Sequence, residues 1–487
     1  MDTKMSIKNS FKWSALSEGF VKIITPILNA ILARILFPED YAPLATITML
    51  ISFCEVFVES GLKKYLIQHE FENEEETKKA YHVAFWTTMA VALFLWGLIA
   101  IFCKPISSFL GNGEIWLAVA ISGSILPMYA MVGIFNASIQ KRLEFKKLFW
   151  VRMLTSSIPL FVTIPLALLG GKYWSLVIGN IASIATQMIV LKIQSGYKIK
   201  AYYSFSLLKT MLSDTIWTLI DGIVIWLTAW IDSLIITRWM SEYYLGLYKN
   251  SLTMVTSLFS MVTAAVTPVL FVGLTKYQND NEKFSSLFVR TQQILAMILM
   301  PLGVGVFLYR DLAVAILFGN KWKEAAGVVG ITALTIALRT IYISICSDVY
   351  RAKGSYKIPL ILQLFDLCLL IPTCIISAQH GFWALVYARA IARLVLIIPE
   401  IITMKKFLQI DIKDQFKRQL PIILATVVMG LIGYLLQQIS VSMLWQFASI
   451  LICVVVYFAV LLVISPSLRK DLLQTKFIKK LKKNSNE

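Results

Sequence analysis

The feature that most constrains this chain is a succession of apolar stretches, each long enough to cross a lipid bilayer as a helix. A spanning α-helix needs about 20 mostly apolar residues, because the hydrocarbon core is about 30 Å thick and a helix rises about 1.5 Å per residue. The sequence contains fourteen such stretches, at about 14–36, 41–63, 81–103, 115–137, 147–169, 173–195, 213–236, 245–272, 287–309, 324–348, 357–378, 381–403, 419–438 and 443–465.

The composition indicates the same class of protein. Of the 487 residues, 58% are hydrophobic and 15% are charged, whereas soluble domains usually contain about 25% charged residues. The connections between the apolar stretches are too short to hold a folded soluble domain. We therefore predict an all-α polytopic membrane protein with about 14 transmembrane helices.

The basic residues predict how the chain is oriented. The net charge is +18, and the lysines and arginines concentrate in alternate connections, beginning with the N-terminal segment. Because cytoplasmic loops carry the excess of basic residues in membrane proteins, we expect both termini to be cytoplasmic and expect no nucleic-acid partner. The basic tail either lies as a helix on the anionic lipids of the inner leaflet or is simply solvated.

A weak internal repeat predicts the domain organisation. The segment ARILFPEDYAPLA, which begins at Ala33, resembles TRWMSEYYLGLYK, which begins at Thr237, and Arg34 aligns with Arg238. Each segment ends a long helix, turns and enters the next helix. We predict two six-helix lobes related by a pseudo-two-fold axis, a cavity between them, and two additional helices. The corresponding ranges are 1–200, 201–410, 411–466 and, for the basic tail, 467–487.

Charged residues inside the apolar stretches predict where the cavity lies. Asp221 and Asp232 are close to three helical turns apart, so both face one side of the seventh helix. A charge at the bilayer centre costs about 2.5–3.5 kcal/mol on insertion scales, and it persists where it faces protein or water. The residues predicted to line the cavity are Glu18, Lys22, Asn29, Glu55, Glu59, Trp217, Asp221, Trp226, Arg339, Asp366, Arg389 and Arg393.

Several of these residues allow a second interpretation. Near the outer surface, Arg34, Asp232 and Arg238 form a gate or merely cap the interface, and Asp221 is a candidate for ion coupling. Glu18 and Lys22, four residues apart, either line the cavity or form an ion pair within their helix. The pair of Arg389 and Arg393 binds either substrate or lipid headgroups.

No motif for metal, cofactor or ATP chemistry occurs in the sequence. The six cysteines form no CxxC pair and the three histidines are far apart, so we expect neither a metal site nor a cofactor. A GxxxxGK[ST] phosphate-binding loop is absent as well. Any work done by this chain would therefore draw on an ion gradient, the membrane potential or removal of a product.

Five segments carry a resemblance to a known family. They are ILARILFPEDYAPLA (31–45), QKRLEFKKLFWVR (140–152), WIDSLIITRWMSEYYLGLYKNS (230–251), VTPVLFVGLTKYQNDNEKFSSLFVR (266–290) and LFGNKWKEAAGVV (317–329). In this order they resemble the signature regions of bacterial polysaccharide flippases, which belong to the multidrug/oligosaccharidyl-lipid/polysaccharide exporter superfamily. The resemblance covers residues from about 30 to 400.

The resemblance implies a function and a location. A transporter of this family would move a polyprenyl-pyrophosphate-linked oligosaccharide, the repeat unit of an O-antigen, capsule or exopolysaccharide, across the bacterial plasma membrane by alternating access. Its partners would be this glycan, membrane lipids and, downstream, a polysaccharide polymerase and chain-length proteins. Cations such as Lys22, Arg339, Arg389 and Arg393 would pair with the pyrophosphate.

The remaining polar candidates would contact the glycan, and other functions stay open. Asp221 and Asn29 would hydrogen-bond sugar hydroxyls, and Trp217 and Trp226 would stack on sugar rings. A drug/cation antiporter or a peptidoglycan-precursor flippase of the same superfamily is an alternative. A membrane-embedded polymerase or glycosyltransferase is another, but such enzymes need a sizeable outer loop with catalytic groups. We therefore expect a transporter and not an enzyme.

Overall fold

The computed structural model describes residues 2–59, 61–278, 280–355, 357–408 and 412–465, which are helical over most of their length. No β-strand occurs within these ranges. The predicted basic tail, 467–487, lies outside them. The α-helices are α1 (Asp2–Ile35), α2 (Pro38–Glu59), α3 (Leu62–Gln68), α4 (Glu74–Ile101), α5 (Cys103–Phe109), α6 (Trp116–Ser122), α7 (Ile125–Lys141), α8 (Phe145–Phe161), α9 (Thr163–Leu168), α10 (Lys172–Ser195), α11 (Phe205–Trp239), α12 (Glu242–Lys276), α13 (Asn281–Leu308), α14 (Arg310–Leu317), α15 (Ala325–Arg339), α16 (Ile345–Ala352), α17 (Lys357–Ala378), α18 (Phe382–Val395), α19 (Ile397–Leu408), α20 (Ile412–Gln437) and α21 (Met443–Ile464).

The predicted class, a membrane protein with many spanning helices, is confirmed. The number of spans found is close to the predicted number of about 14. Among the described residues, 12 helical segments are long and apolar enough to cross a membrane. The two other predicted stretches, 245–272 and 381–403, fall on α12 and on the pair α18–α19. The second of these is interrupted at Leu396 and carries several charged side chains, which lowers its mean hydropathy.

The chain forms two compact units, which differ in extent from the two predicted lobes. The first unit comprises Met1–Ala265, Leu317–Ala325 and Lys357–Ala392, and the second comprises Val266–Ile316, Ala326–Tyr356 and Arg393–Glu487. The division into six-helix lobes at residues 200 and 410 stays a prediction.

Glycine permits close helix packing in the first unit. A Cβ atom built on Gly246 of α12 would lie 1.8 Å from the carbonyl oxygen of Pro38 at the start of α2. A Cβ atom on Gly61 would lie 2.8 Å from the Cβ atom of Thr215 on α11, and Gly61 has a φ of 76°. These two contacts hold the ends of α2 against α12 and α11.

One signature segment completes the C-terminal end of α1. The last carbonyl groups of a helix lack partners within the helix. In this unit Trp322 Nε1 donates a hydrogen bond to the carbonyl of Ala33 at 2.8 Å, and Lys321 Nζ donates one to the carbonyl of Ile35 at 2.9 Å. Trp322 is fully buried and packs edge-on against Tyr41 of α2. The segment 317–325 thereby fixes the turn between α1 and α2.

A second signature segment completes two further helices. Lys141 Nζ donates hydrogen bonds to the carbonyls of Leu66 and His69, both at 2.9 Å, at the end of α3. Arg142 Nη2 donates to the carbonyl of Ser195 at 2.8 Å, at the end of α10. These basic residues, which the sequence presents as orientation signals, also satisfy helix carbonyls.

The second unit has an irregular turn next to Arg339, one of the predicted site residues. Helix α15 ends at Arg339 and is followed by a π-helical turn, Thr340–Ser344, before α16 begins. π-Helical turns are rare in proteins, and those that occur are often found at functional sites. Gln292 Nε2 of α13 donates a hydrogen bond to the carbonyl of Ile341 at 3.1 Å, which supports the turn from a neighbouring helix.

Candidate functional site

A buried ion pair joins two of the predicted site residues in the first unit. Arg389 Nε of α18 donates to Asp232 Oδ2 of α11 at 3.1 Å, and the side chains are 6% and 1% exposed. The hydroxyl group of Tyr248 on α12 donates a hydrogen bond to the same oxygen at 2.8 Å. The backbone N–H of Ser233 donates to Asp232 Oδ1 at 2.7 Å. Three helices are therefore joined through one carboxylate.

Arg389 makes a further contact within the same cluster. Its Nη2 atom donates to the carbonyl of Thr228 at 3.0 Å. The buried carboxyl group of Asp366 on α17 is close enough for its charge to act on Arg389. In this structure Arg389 is thus the counter-ion of buried carboxylates. Arg393, one turn further along α18, is also buried and belongs to the second unit.

The predicted candidates on α1 take different positions. Glu18 forms an ion pair with Arg152 of α8, so its partner lies on another helix and is not Lys22. Lys22 and Asn29 are half-buried. No hydrogen bond or ion pair of Lys22 is found among the residues that the structure describes.

Trp226 links α11 to α2. Its Nε1 atom donates to Ser52 Oγ at 3.0 Å and to the carbonyl of Met49 at 3.2 Å, and its ring packs on Phe53 with the centroids 4.7 Å apart. Trp226 and Phe53 also line an apolar pocket of about 530 Å³. The indole N–H is already satisfied, so the free part of the ring offers an apolar face.

The acidic candidates on α2 differ in environment. Glu55 is half-buried, whereas Glu59 is exposed and lies 3.4 Å from Lys63 Nζ. Asp221 of α11 is half-buried and immediately precedes Gly222, which packs against Val56 of α2. Glu59 and Gly222 line one pocket of about 380 Å³, so the structure brings α2 and this part of α11 to a common opening.

Three further candidates lie in the last turns of their helices. Arg34 and Arg238 are exposed in the last turns of α1 and α11. Arg339 is half-buried before the π-helical turn of the second unit. Trp217 lies on α11, and its side chain is outside the described part of the structure. The interpretation of Arg34, Asp232 and Arg238 as a gate stays a prediction, since the partner found for Asp232 is Arg389.

Sequence reasoning missed several residues at these sites. Arg152 and Tyr248 lie in stretches that were assigned to helices, and only the tertiary fold shows their acidic partners. Glu400 of α19 is 4% exposed beside Tyr350 and Cys346 of α16. Glu400 could have been found in the sequence, because it is an acid within the apolar run LIIPEII. Among the described residues, no group of three His, Cys, Asp or Glu is arranged to hold a metal ion.

Solved structures with the same fold are membrane transporters. An inward closed structure of the lipid II flippase MurJ matches with a TM-score of 0.79 and 18% sequence identity, covering 95% of this chain and 99% of the other. An inward-facing multidrug resistance MATE transporter of the MOP superfamily matches with a TM-score of 0.60 and 13% identity, covering 80% of this chain and 94% of the other. The chain therefore shares the multi-pass helical fold of these two transporters.

The sequence identifies the family within that class. The profile of the family described as "Polysaccharide biosynthesis protein" matches residues 31–327, so the chain belongs to this family. The succinoglycan biosynthesis transport protein ExoT of Rhizobium meliloti is 24% identical over 69% of this chain and 67% of its own length. The lipopolysaccharide biosynthesis protein WzxC of Escherichia coli is 21% identical over 76% and 74%. The teichuronic acid biosynthesis protein TuaB of Bacillus subtilis is 22% identical over 72% and 71%. The resemblance to polysaccharide flippases is confirmed.

Proposed function

We propose that this protein flips a polyprenyl-pyrophosphate-linked oligosaccharide across the bacterial plasma membrane by alternating access. The observation that carries the proposal is the family match over 31–327 together with the transporter fold over nearly the whole chain. Neither the pyrophosphate nor a hydrated glycan crosses hydrocarbon unaided, so export of such a precursor needs a protein path.

The relatives are connected with different polymers, so we define the substrate by its lipid carrier, the polyprenyl pyrophosphate, and not by its sugar. Their names connect them with succinoglycan, lipopolysaccharide and teichuronic acid at similar identities of 24%, 21% and 22%. These polymers differ in their sugars. The proposal therefore assigns the lipid pyrophosphate as the common element and places no restriction on the sugar.

Residues of the first unit supply polar groups for this substrate. We assign Lys22 to the pyrophosphate, since it is a half-buried cation on a membrane helix, and the assignment of Arg339 stays a prediction. Asn29 and Asp221 suit sugar hydroxyls, and the exposed face of Trp226 suits a sugar ring or an isoprenoid chain. Arg389 acts differently: it holds α18 against α11 through Asp232.

The proposal includes an orientation and a place in polysaccharide assembly. Both termini lie in the cytoplasm, in agreement with the distribution of basic residues. The chain transfers its substrate intact and makes no covalent change to it. A polymerase and chain-length proteins would use the product on the other face.

Deletion of the gene tests the proposal in cells. We expect lipid-linked oligosaccharide to accumulate on the inner leaflet, measured by its resistance to a membrane-impermeant glycosidase added to spheroplasts. Re-expression of the wild-type chain should restore both accessibility and surface polysaccharide. Normal surface polysaccharide in the deletion strain would contradict the proposal.

Reconstitution separates transport from enzymatic activity. Purified protein in liposomes should move a fluorescent lipid-linked oligosaccharide to the opposite leaflet, where a membrane-impermeant quencher reports it. Mass spectrometry should find the same oligosaccharide mass before and after transfer. A longer glycan after incubation would favour the polymerase alternative.

A further inference from the structure

An opening with several charged and polar side chains lies between α3 and the N-terminal part of α11 in the first unit. One pocket of about 380 Å³ is lined by Glu59, Gly61, Lys63, Lys64, Gln68, Thr218 and Gly222, together with Val56 and Ile67. A second pocket of about 270 Å³ shares Gly61, Lys64, Gln68 and Thr218 with the first and adds Tyr65, His69 and Thr215. The shared residues show that the two pockets are adjacent, and the larger one falls in the range of ligand sites, about 300–1,000 Å³.

The walls of this opening are held in place by contacts outside it. Gly61 brings the turn between α2 and α3 against Thr215, where any larger residue would clash. The ring of His69 stacks on Tyr65 with the centroids 4.6 Å apart. Lys141 fixes the end of α3 through two carbonyl groups. The site is therefore largely formed before a ligand arrives, which reduces the entropy lost on binding.

The lining favours an anion that accepts several hydrogen bonds. The ammonium groups of Lys63 and Lys64 and the carboxylate of Glu59 line the larger pocket, so its charged groups sum to a net positive charge. The amide of Gln68 and the hydroxyl of Thr218 add donors. Sugars alone do not need two cations, and an isoprenoid chain would avoid these polar groups. A phosphate ester has both the charge and the acceptor oxygens that this lining would satisfy.

The ion pair at the rim does not compete strongly with such a ligand. Glu59 and Lys63 are 3.4 Å apart, with side chains 49% and 30% exposed. An exposed pair at this spacing contributes little, because water screens it and two long side chains must be ordered. A doubly charged phosphate can therefore displace the Glu59 carboxylate from Lys63.

We propose that this opening between α3 and α11, with Lys63, Lys64, Gln68 and Thr218, binds the phosphate group of a phosphate-bearing lipid. Two lipids carry this chemistry: the pyrophosphate-linked substrate and an anionic phospholipid of the surrounding leaflet. The first source rests on the function proposed above, and in that case the opening receives the substrate at the side where α2 ends and α3 begins. The second source makes it a site for a bound membrane lipid.

Binding to the full chain in neutral phosphatidylcholine nanodiscs tests this site. The probes are farnesyl pyrophosphate, measured by titration calorimetry, and phosphatidylglycerol, whose binding is measured directly by native mass spectrometry of protein released from nanodiscs that contain it. We expect the Lys63→Gln/Lys64→Gln variant to bind at least one probe at least tenfold more weakly than the wild type. Thr218→Val, which removes one hydroxyl without changing the size of the side chain, should weaken binding severalfold.

Lys78→Gln/Lys79→Gln is the matched control. These two lysines are also adjacent and also pair with acids four residues earlier, Glu74 and Glu75, but they do not line the opening. The control should keep wild-type affinity for both probes. Equal affinity of both double variants, or equal losses in both, would overturn the proposal, as would a wild type that binds neither probe.

The outcomes separate the two sources and the two proposals. Lysine-dependent binding of farnesyl pyrophosphate supports a substrate subsite, and lysine-dependent binding of phosphatidylglycerol alone supports a lipid site. Transport of lipid-linked oligosaccharide is measured independently in liposomes. A wild type that transports while the lysine variant binds both probes normally would overturn the phosphate site and leave the function standing. Lysine-dependent binding without transport would support the site and refute the function.

Discussion

Arg389 Nε lies 3.1 Å from Asp232 Oδ2, and the two residues stand 157 positions apart in the chain. The pair fixes α18 to α11 inside the first unit. A buried ion pair needs good geometry and further hydrogen bonds to offset the loss of hydration of both charges. Tyr248 and Ser233 supply those bonds to the carboxylate, and the Thr228 carbonyl accepts one from the guanidinium.

Removal of one partner should therefore destabilise the protein strongly. We expect Arg389→Met to lower the free energy of unfolding by about 3–5 kcal/mol, because it leaves the carboxylate of Asp232 buried without its counter-ion. Titration with SDS in mixed micelles measures this change.

A double variant shows whether the cause is the stranded charge. Asp232→Asn combined with Arg389→Met should recover most of the loss, since neither charge remains. Arg238→Met, an exposed residue two turns further along α11, is the control and should stay close to the wild type. Equal destabilisation by the single and double variants would show that packing, and not charge, explains the loss.

Trp322 gives a second test of how a signature segment acts. Its indole N–H satisfies the Ala33 carbonyl at the end of α1, and its ring is fully buried. Trp322→Phe should cost about 1–3 kcal/mol, because a buried acceptor loses its donor while most of the ring remains. Trp322→Ala should cost about 3–5 kcal/mol through the cavity that it leaves.

The measurement for both variants is the same SDS titration, with Trp383→Phe as the control. Trp383 is 39% exposed on α18 and should tolerate the change. If Trp322→Phe were as stable as the wild type, the hydrogen bond to α1 would not explain why tryptophan occupies this position.

The fold was largely predictable because membrane helices depend on a local property. A run of about 20 apolar residues is visible in the sequence without knowledge of its neighbours, and all fourteen predicted stretches fall on helices. The predicted stretch 381–403 shows the limit of this local signal. There Arg389 and Glu400 are tolerated because they are buried in protein, and that burial is a tertiary property.

The pairings between side chains were not predictable, because they also depend on the tertiary packing. Spacing along one helix suggested Glu18 with Lys22, yet Arg152 on α8 offers Glu18 a partner across the helix contact. Lys63 and Lys64 are typical of orientation signals in the sequence, and only the position of α11 shows that they line an opening. Partners on other helices follow from packing, which periodicity does not encode.

Close helix contacts at glycine predict a difference between two similar substitutions. Gly246→Ala places a methyl group against the Pro38 carbonyl and should destabilise the protein by about 1–3 kcal/mol through overpacking. Gly133→Ala on α7 meets nothing within 4 Å and should be neutral or stabilising by about 0.5–1 kcal/mol, because alanine favours the helix. Thermal unfolding in detergent compares them. Similar midpoints would mean that α12 and α2 separate at little cost.

Lys22 provides the functional prediction with the clearest alternative outcome. Glu18 is occupied by Arg152, so neutralising Lys22 breaks no ion pair found among the described residues and should leave folding unchanged. If Lys22 binds the pyrophosphate, Lys22→Gln should reduce transport in liposomes at least tenfold, since a charge-assisted hydrogen bond contributes about 1.5–3 kcal/mol. Lys22→Arg, which keeps the charge, should retain much of the activity. Transport at the wild-type rate by Lys22→Gln would remove this residue from the binding site, and loss of activity accompanied by a lower unfolding midpoint would assign it a structural role.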